Sequence, residues 1–264
     1  MTPENALPTV SEDLRKEIAA AYGYYSALIA HGARKENLGG IFLFAGELAS
    51  ESNRLLRAAN IAGAASLAAS VDAVLCRQAL REGVVDFFVT SFDEAARILK
   101  DELRKKQRVA VAVSLAVSTF AEEMIERGLQ PDLFLGNEAS AETKKLATRG
   151  AQPVHSCSLA SGESLYIWPV PEVWSRRIAE FDALVMERLN GLEQEKKRWW
   201  RLAPRYLAHE ARKLRSLAAT RKRPRASKSC CAPRPRETER PAPVCLPILR
   251  RRSVPPPRSA PKVL

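Results

Sequence analysis

Short apolar runs alternate with amphipathic helical segments through the middle of this chain of 264 residues. The pattern predicts five strands, at residues 41–45, 64–71, 84–90, 109–115 and 133–136. Segments with apolar residues at helical spacing separate the strands, and a helix over residues 11–31, capped by Ser11, precedes them. Such alternation is typical of βαβ units on a parallel sheet. We therefore predict an α/β fold, a Rossmann-like parallel sheet of about five strands with flanking helices.

The second predicted strand is rich in alanine, which favours helices. A single long helix over residues 52–80 is the alternative. The role of Asp72 depends on the choice. At the end of a strand its carboxylate can accept hydrogen bonds from a ribose, whereas on a long helix it is an ordinary exposed acid.

Gly46 follows the first strand, where the chain must turn into the next helix and glycine turns without a steric penalty. In a dinucleotide-binding fold, the helix amides after this turn hold phosphate. Residues 47–53 contain two glutamates and no further glycine, and carboxylates repel a pyrophosphate. We therefore favour a plain strand-to-helix turn, capped by Ser50 or Ser52, over a phosphate loop.

Basic residues are concentrated at the end of the chain. Residues 219–264 hold thirteen Lys/Arg and two Asp/Glu, which accounts for +11 of the net charge of +12. This stretch also has ten prolines and no glycine, so it cannot bury enough apolar surface to offset its ordering entropy and is predicted to be disordered. The rest of the chain is nearly neutral, which disfavours nucleic acid as a partner except for non-specific, salt-sensitive contacts of this basic tail.

Aromatic and basic residues are mixed in residues 196–206, where Trp199 and Trp200 stand among Lys and Arg. One interpretation is a nucleic-acid contact, with bases stacked on tryptophan and phosphates paired with arginine. The other is a helical hairpin that packs both tryptophans on the domain and leaves the charges in water. We favour the second, because charge runs usually solvate a face.

Cysteines and histidines indicate neither a disulfide framework nor a metal site. Cys76 and Cys157 are far apart in the chain, and the other three cysteines lie in the tail. His155 and Cys157 are close in sequence, but a zinc site needs two more ligands. The sequence shows no signal peptide and no apolar run of about 20 residues, so we expect a cytoplasmic location and no membrane contact.

Ordered motifs in the central region resemble the central domain of urocanase (urocanate hydratase). Gly39-Gly40 and Ala45-Gly46 flank the first strand, and Val71-Asp72 ends the second. Ser-Phe-Asp-Glu-Ala starts a helix at residues 91–95, and Glu-Met-Ile-Glu-Arg-Gly-Leu-Gln-Pro-Asp precedes the fifth strand at residues 123–132. The agreement in order and spacing covers under half of the chain.

The resemblance implies a domain that binds NAD, which urocanases hold tightly and use as an electrophile toward the imidazole ring of urocanate. It implies a lyase-type link to histidine degradation, where urocanate is hydrated to imidazolonepropionate, and a urocanate-like ligand. The cofactor contacts it implies fall at Gly46, Glu47, Asp72, Thr90 and Ser91.

Two departures from the family pattern limit what the resemblance implies. The glycine-rich phosphate turn is reduced to Gly46, and Ser70 replaces an acidic residue. The flanking core region, which supplies most substrate contacts and the acid–base groups, has no recognisable counterpart, so no catalytic residue is assigned. We expect a partial relative with weak or no hydratase activity alone, or one that a partner chain completes. The alternative is a non-catalytic Rossmann-like scaffold or protein-interaction module.

These observations divide the chain into four parts. Residues 1–38 hold the leading helix, and residues 39–150 form the Rossmann-like domain. Residues 151–218 form a mixed or helical extension, with one helix predicted over residues 171–188, and residues 219–264 form the tail.

Overall fold

The computed structural model describes residues 10–32, 37–136, 141–159, 162–188, 193–207 and 209–220. Eight helices and eight strands lie within them. The helices are α1 (Glu12–His31), α2 (Ser50–Ala62), α3 (Ala73–Arg81), α4 (Phe92–Lys105), α5 (Val117–Glu126), α6 (Ala141–Thr148), α7 (Ile178–Arg188) and α8 (Gln194–Tyr206). The strands are β1 (Phe42–Glu47), β2 (Ala65–Ala69), β3 (Phe87–Val89), β4 (Val109–Val113), β5 (Leu133–Leu135), β6 (Gln152–Val154), β7 (Glu163–Pro169) and β8 (Leu214–Thr220).

Six strands form one parallel sheet in the order β3-β4-β2-β1-β5-β6. The prediction of an α/β fold with a parallel sheet and flanking helices is therefore confirmed. The sheet has one strand more than the five predicted, since β6 is three residues long and contains Pro153, which hides it from a pattern search. β3 is also shorter than predicted: only Phe87–Val89 of residues 84–90 pair, at the edge of the sheet.

The alanine-rich segment is a strand, and the alternative of one long helix is wrong. β2 lies parallel to β1, with Phe42 opposite Ala65 and Phe44 opposite Leu67. Every residue of β2 is buried, as expected of a central parallel strand covered on both faces. Burial in the sheet here overrides the weak helix propensity of alanine.

Helices cover both faces of the sheet. Alternate side chains of β1 therefore belong to two different core clusters, one on each face. Leu43 and Ala45 belong to the core cluster that contains residues of α1, α2, α3 and α8. Phe42 and Phe44 belong to the other cluster, built with α4, α5 and α6. α1 begins after Ser11, whose hydroxyl accepts a hydrogen bond from the Leu14 amide, as predicted. No helix within the described part of the chain is long and apolar enough to cross a membrane.

The C-terminal extension folds onto the first of these faces. α8 packs between α2 and β8, and β8 pairs antiparallel with β7. Both tryptophans of α8 are buried, which confirms that they pack on the domain. The expectation that the charges all face water is wrong for Lys196 and Arg198, which contact Glu163 and the Ile61 carbonyl.

Three expectations for the C-terminal extension need correction. β7 was not predicted, because the segment before Pro171 shows little periodicity. The helix predicted over residues 171–188 is wrong in its first part, where a 3₁₀ turn (Glu172–Trp174) precedes α7. Ala219 and Thr220 end β8, so the tail cannot begin before residue 221. The rest of the predicted tail lies outside the described residues.

Two aspartates make the same pair of contacts at the amino edge of the sheet. Asp132 precedes β5: its carboxylate accepts a hydrogen bond from the Phe42 amide (2.8 Å), and its own amide donates to the Phe42 carbonyl (2.9 Å). Asp86 precedes β3 and contacts Ala110 of β4 in the same two ways, at 2.9 and 2.7 Å. The sequence carries both copies as apolar-Asp-apolar-Phe-apolar, at residues 85–89 and 131–135. The aspartate that ends the motif at residues 123–132 therefore has a structural role, because its hydrogen bonds link β5 to β1.

Candidate functional site

The sheet has a topological switch point between β1 and β5. From β1 the chain continues through α2 to β2 on one side, and from β5 it continues through α6 to β6 on the other. Open α/β sheets bind ligands outside the carboxyl ends of strands at such a point. A small crevice of about 20 Å³ lies here, and none of the described residues that line it is Lys or Arg. Its lining is Phe44, Ala45 and Gly46 from β1, Phe134 and Leu135 from β5, Val117 from α5, and Glu142 and Thr143 from α6.

Gly46 has a φ of +70°, in the left-handed region that favours glycine. The turn that follows is closed from within the protein. The Leu48 amide donates to the Ala69 carbonyl (2.9 Å), and the Ala49 amide donates to the Ser52 hydroxyl (2.7 Å). The Ser52 hydroxyl in turn donates to the Ala49 carbonyl (2.9 Å). Of the two serines predicted to cap this turn, Ser52 is therefore the one that closes it.

Acidic side chains occupy the start of α2. Glu47 is exposed at the end of β1, and Glu51 lies in the first turn of the helix. The hydroxyl of Tyr24, a buried residue of α1, donates a hydrogen bond to the Glu51 carboxylate. A carboxylate in the first turn of a helix interacts favourably with the helix dipole, so Glu51 stabilises the start of α2.

Asp72 lies beyond the carboxyl end of β2, next to β1, as expected. Its carboxylate caps α3, accepting hydrogen bonds from the amides of Val74 (2.7 Å) and Leu75 (3.4 Å). The Ser70 hydroxyl accepts a hydrogen bond from the Asp72 amide (3.2 Å). Both amides donate to the same carboxylate oxygen, Oδ1. Asp72 therefore has a structural role as a helix cap, whether or not it also binds a ribose.

Thr90 and Ser91 follow β3, at the far edge of the sheet. Three strand spacings of about 4.8 Å separate β3 from β1, which puts these two residues about 14 Å from Gly46 along the edge. The Ser91 hydroxyl accepts a hydrogen bond from the Glu94 amide (3.4 Å) and caps α4, as predicted. The structure thus places Gly46, Glu47 and Asp72 on neighbouring strands and leaves Thr90 and Ser91 apart. A cofactor contact by any of the five stays a prediction.

These residues do not fit a pyrophosphate in the usual Rossmann position. Two amides of the β1–α2 turn donate to partners within the protein. Glu47 and Glu51 flank the turn itself, and Glu142 lines the crevice. Among the described lining residues, no Lys or Arg would compensate the charge of an anion placed there.

A close contact between Gly136 and His155, at the carboxyl edge of the sheet, was not predicted from the sequence. A Cβ added to Gly136, which follows β5, would lie 2.4 Å from Cε1 of His155. The imidazole of His155 therefore lies directly against the Gly136 backbone. Gly23 of α1 is similarly close to the carbonyl oxygen of Cys157, at 2.7 Å from a built Cβ. Within the described ranges, no group of three or more His, Cys, Asp or Glu residues could hold a metal ion.

The two described cysteines should differ in reactivity. Burial raises the pKa of the Cys76 thiol, and the carboxylates of Asp72 and Glu47 raise it further. Cys157 is exposed. Because the thiolate is the reactive form, alkylation at neutral pH should modify Cys157 at least about tenfold faster than Cys76. Peptide mass mapping after timed iodoacetamide treatment measures both rates in one sample. Equal rates would contradict the burial of Cys76.

Comparison with known families adds one finding. Residues 22–144 match the family model of the urocanase Rossmann-like domain. The match begins within α1 and ends within α6, so it contains β1 to β5 and the crevice between β1 and β5. This family is associated with NAD binding.

Proposed function

We propose that this chain is a scaffold related to urocanate hydratase and that it does not hold NAD in the usual position. The premise is that residues 22–144 are a urocanase-family Rossmann-like domain. By itself it does not hydrate urocanate. Its role is that of a binding or interaction module built on the family's sheet.

The observation that carries this proposal is the internal use of the groups that a dinucleotide would need. A Rossmann domain holds the pyrophosphate with the amides after β1 and the ribose with a carboxylate after β2. Here the Leu48 and Ala49 amides and the Asp72 carboxylate bond to the protein itself. A dinucleotide would have to displace these bonds and lie beside Glu47 and Glu51, so its net gain in free energy would be small.

Hydration of a conjugated acid also needs a placed proton donor and a placed acceptor. In the resemblance drawn from the sequence, the acid–base groups and most substrate contacts come from the family's flanking core region. That region has no recognisable counterpart before residue 39 or after residue 137. A partner chain that supplies it would restore activity, and none is needed for the scaffold role.

Thermal unfolding with and without NAD tests the cofactor part of the proposal. A ligand at ten times its Kd stabilises the native state by about 1.4 kcal/mol, which for a domain of this size raises Tm by about 3–5 °C. We expect no rise at millimolar NAD and no NAD in the mass spectrum of small molecules released on denaturation. Incubation with urocanate and NAD should leave the urocanate absorbance unchanged. NAD released from the purified protein, or steady loss of that absorbance, would refute the proposal.

A second candidate is NAD binding in the crevice, which the positive φ of Gly46 and the family's association with NAD favour. Replacement of Glu47 by glutamine separates the two candidates. If NAD binds there, removal of this carboxylate should increase the NAD-induced rise in Tm, because a repulsive charge is lost. If NAD does not bind, neither protein should show a rise.

A further inference from the structure

β7 is an edge strand, and its outer side has no partner strand in the part of the chain that the structure describes. It pairs with β8, and the two strands form a small sheet separate from the parallel one. Residues 214–219 of β8 are buried, and β8 packs against α8. Every residue of β7, by contrast, is at least partly exposed. An exposed strand edge presents N–H and C=O groups that can pair with another chain.

The register of β7 and β8 shows which backbone groups of β7 point outward. The Val170 amide donates to the Lys213 carbonyl (2.8 Å), one step beyond the last pair of the ladder, Pro169 opposite Leu214. Bonded and non-bonded pairs alternate along an antiparallel ladder. The even-numbered residues of β7 therefore bond to β8, and the odd-numbered ones direct their backbone groups outward. Pro169, which has no N–H, falls in an outward position, as expected of a proline on an edge strand.

Leu165 and Ile167 therefore direct their amides and carbonyls away from β8. Neither makes another backbone hydrogen bond within the described residues. Their side chains pack against the core that contains α1, α2 and α8, which holds the strand in place. Glu163 is the one charged residue in the sequence of β7, and it is paired with Lys196 (2.7 Å). The middle of this edge thus lacks the charges by which natural proteins keep edge strands apart.

We propose that β7 pairs antiparallel with β7 of a second copy of this chain, across a two-fold axis at Tyr166. This register pairs the full length of both strands and joins the two small sheets into one. Leu165 of each copy then lies opposite Ile167 of the other, and each such pair exchanges both of its backbone hydrogen bonds. Glu163 lies opposite Pro169, so no like charges face each other.

A second copy fits this edge because the strand is complementary to itself. In a two-fold interface the same surface faces itself, so any mismatch occurs twice. With the axis at Tyr166, apolar residues face apolar residues and the two tyrosine rings lie side by side, an arrangement that stabilises antiparallel strands. An axis at Leu165 or at Ile167 would leave one end of each strand unpaired. β7 lies outside residues 22–144, and this inference does not depend on whether the crevice binds NAD.

Sedimentation velocity of the full chain at about 0.15 M salt tests the proposal. The native chain should pass from monomer to dimer as its concentration rises from micromolar to millimolar. Tyr166→Lys should weaken the dimer at least about tenfold, because its two lysines would lie directly opposite each other. The matched control Ser164→Lys adds the same charge to the same face of β7. Its two lysines would lie about 14 Å apart along the paired strands, so the dimer should weaken less than about threefold.

An equimolar mixture of Tyr166→Lys and Tyr166→Glu distinguishes a lost interface from a damaged fold. Each variant alone should be mostly monomeric, and the mixture should form a dimer because opposite charges then meet at the axis. A native chain that stays monomeric at millimolar concentration would overturn the proposal and leave the edge to a strand of another protein. So would a Tyr166→Lys dimer as stable as the native one. A mixture that stays monomeric would also overturn it, because the two residues at position 166 would then not face each other.

Discussion

Replacement of Trp199 by alanine should lower the free energy of unfolding by about 4 kcal/mol, in the range typical of large aromatic truncations in a core. Trp199 is fully buried where α8 meets α1. Its ring lies 4.9 Å from that of Tyr22 and 5.2 Å from that of Tyr25. Its indole N–H donates to the Ser216 hydroxyl of β8 (2.9 Å). The substitution therefore leaves a cavity at the joint between three elements.

Urea unfolding followed by far-UV circular dichroism measures the loss. The matched control is Trp174→Ala, which removes the same side chain from a partly exposed position beside Phe181. It should cost less than half as much, because water fills part of the space. The loss in free energy of unfolding for Trp199→Phe should lie between the losses for Trp199→Ala and Trp174→Ala. Phenylalanine keeps the ring contacts but loses the hydrogen bond to Ser216. Equal losses for the two alanine variants would mean that α8 does not anchor the extension on the sheet.

Replacement of Asp132 by alanine should lower the free energy of unfolding by about 1 kcal/mol, because a part-buried backbone donor loses its acceptor and water at this exposed position replaces only part of the bond. The donor is the Phe42 amide at the start of β1, and Phe42 itself is almost fully buried. Asp132→Asn keeps an acceptor oxygen at the same place and should cost less than half of this. Asp132 lies at the amino edge of the sheet, and the crevice lies at the carboxyl edge. Replacement of Asp132 should therefore not change the affinity for a ligand bound in the crevice.

Asp101→Ala is the control for Asp132→Ala. Asp101 is an acid of α4 whose ion pairs with Arg104 and Lys105 are exposed, so its loss should change the stability by less than about 0.5 kcal/mol. Thermal unfolding at one pH and salt concentration compares all three variants. A loss as small for Asp132→Ala as for Asp101→Ala would show that β1 and β5 do not depend on this bond.

The sequence was most informative for the centre of the sheet. β1, β2, β4 and β5 lie where the apolar runs predicted them, because strands buried on both faces must be apolar throughout. The edges were harder to predict. β6 has three residues and a proline, and β7 is only partly buried, so neither carries the pattern of a buried strand.

Within the candidate site, the sequence predicted features that depend on neighbouring residues. It did not predict contacts between residues that are far apart in the chain. Gly46 at the turn and Ser91 at the start of α4 follow from rules about neighbouring residues. The bond between Tyr24 and Glu51 and the contact of His155 with Gly136 join residues 27 and 19 positions apart. They depend on how α1 and β6 pack, which no local rule gives. The shared pattern around Asp86 and Asp132 was visible in the sequence, but its meaning required the register of the strands.

The two aspartates that link neighbouring strands have a consequence for how this protein can be re-engineered. They fasten both halves of the sheet at its amino edge, so the loops at the opposite edge can be exchanged without loosening the strands. A glycine-rich loop grafted in place of residues 47–51 is thus a feasible way to install a nucleotide-binding turn in this protein. Success would depend on removing the two glutamates, since the strand pairing beneath them is already in place.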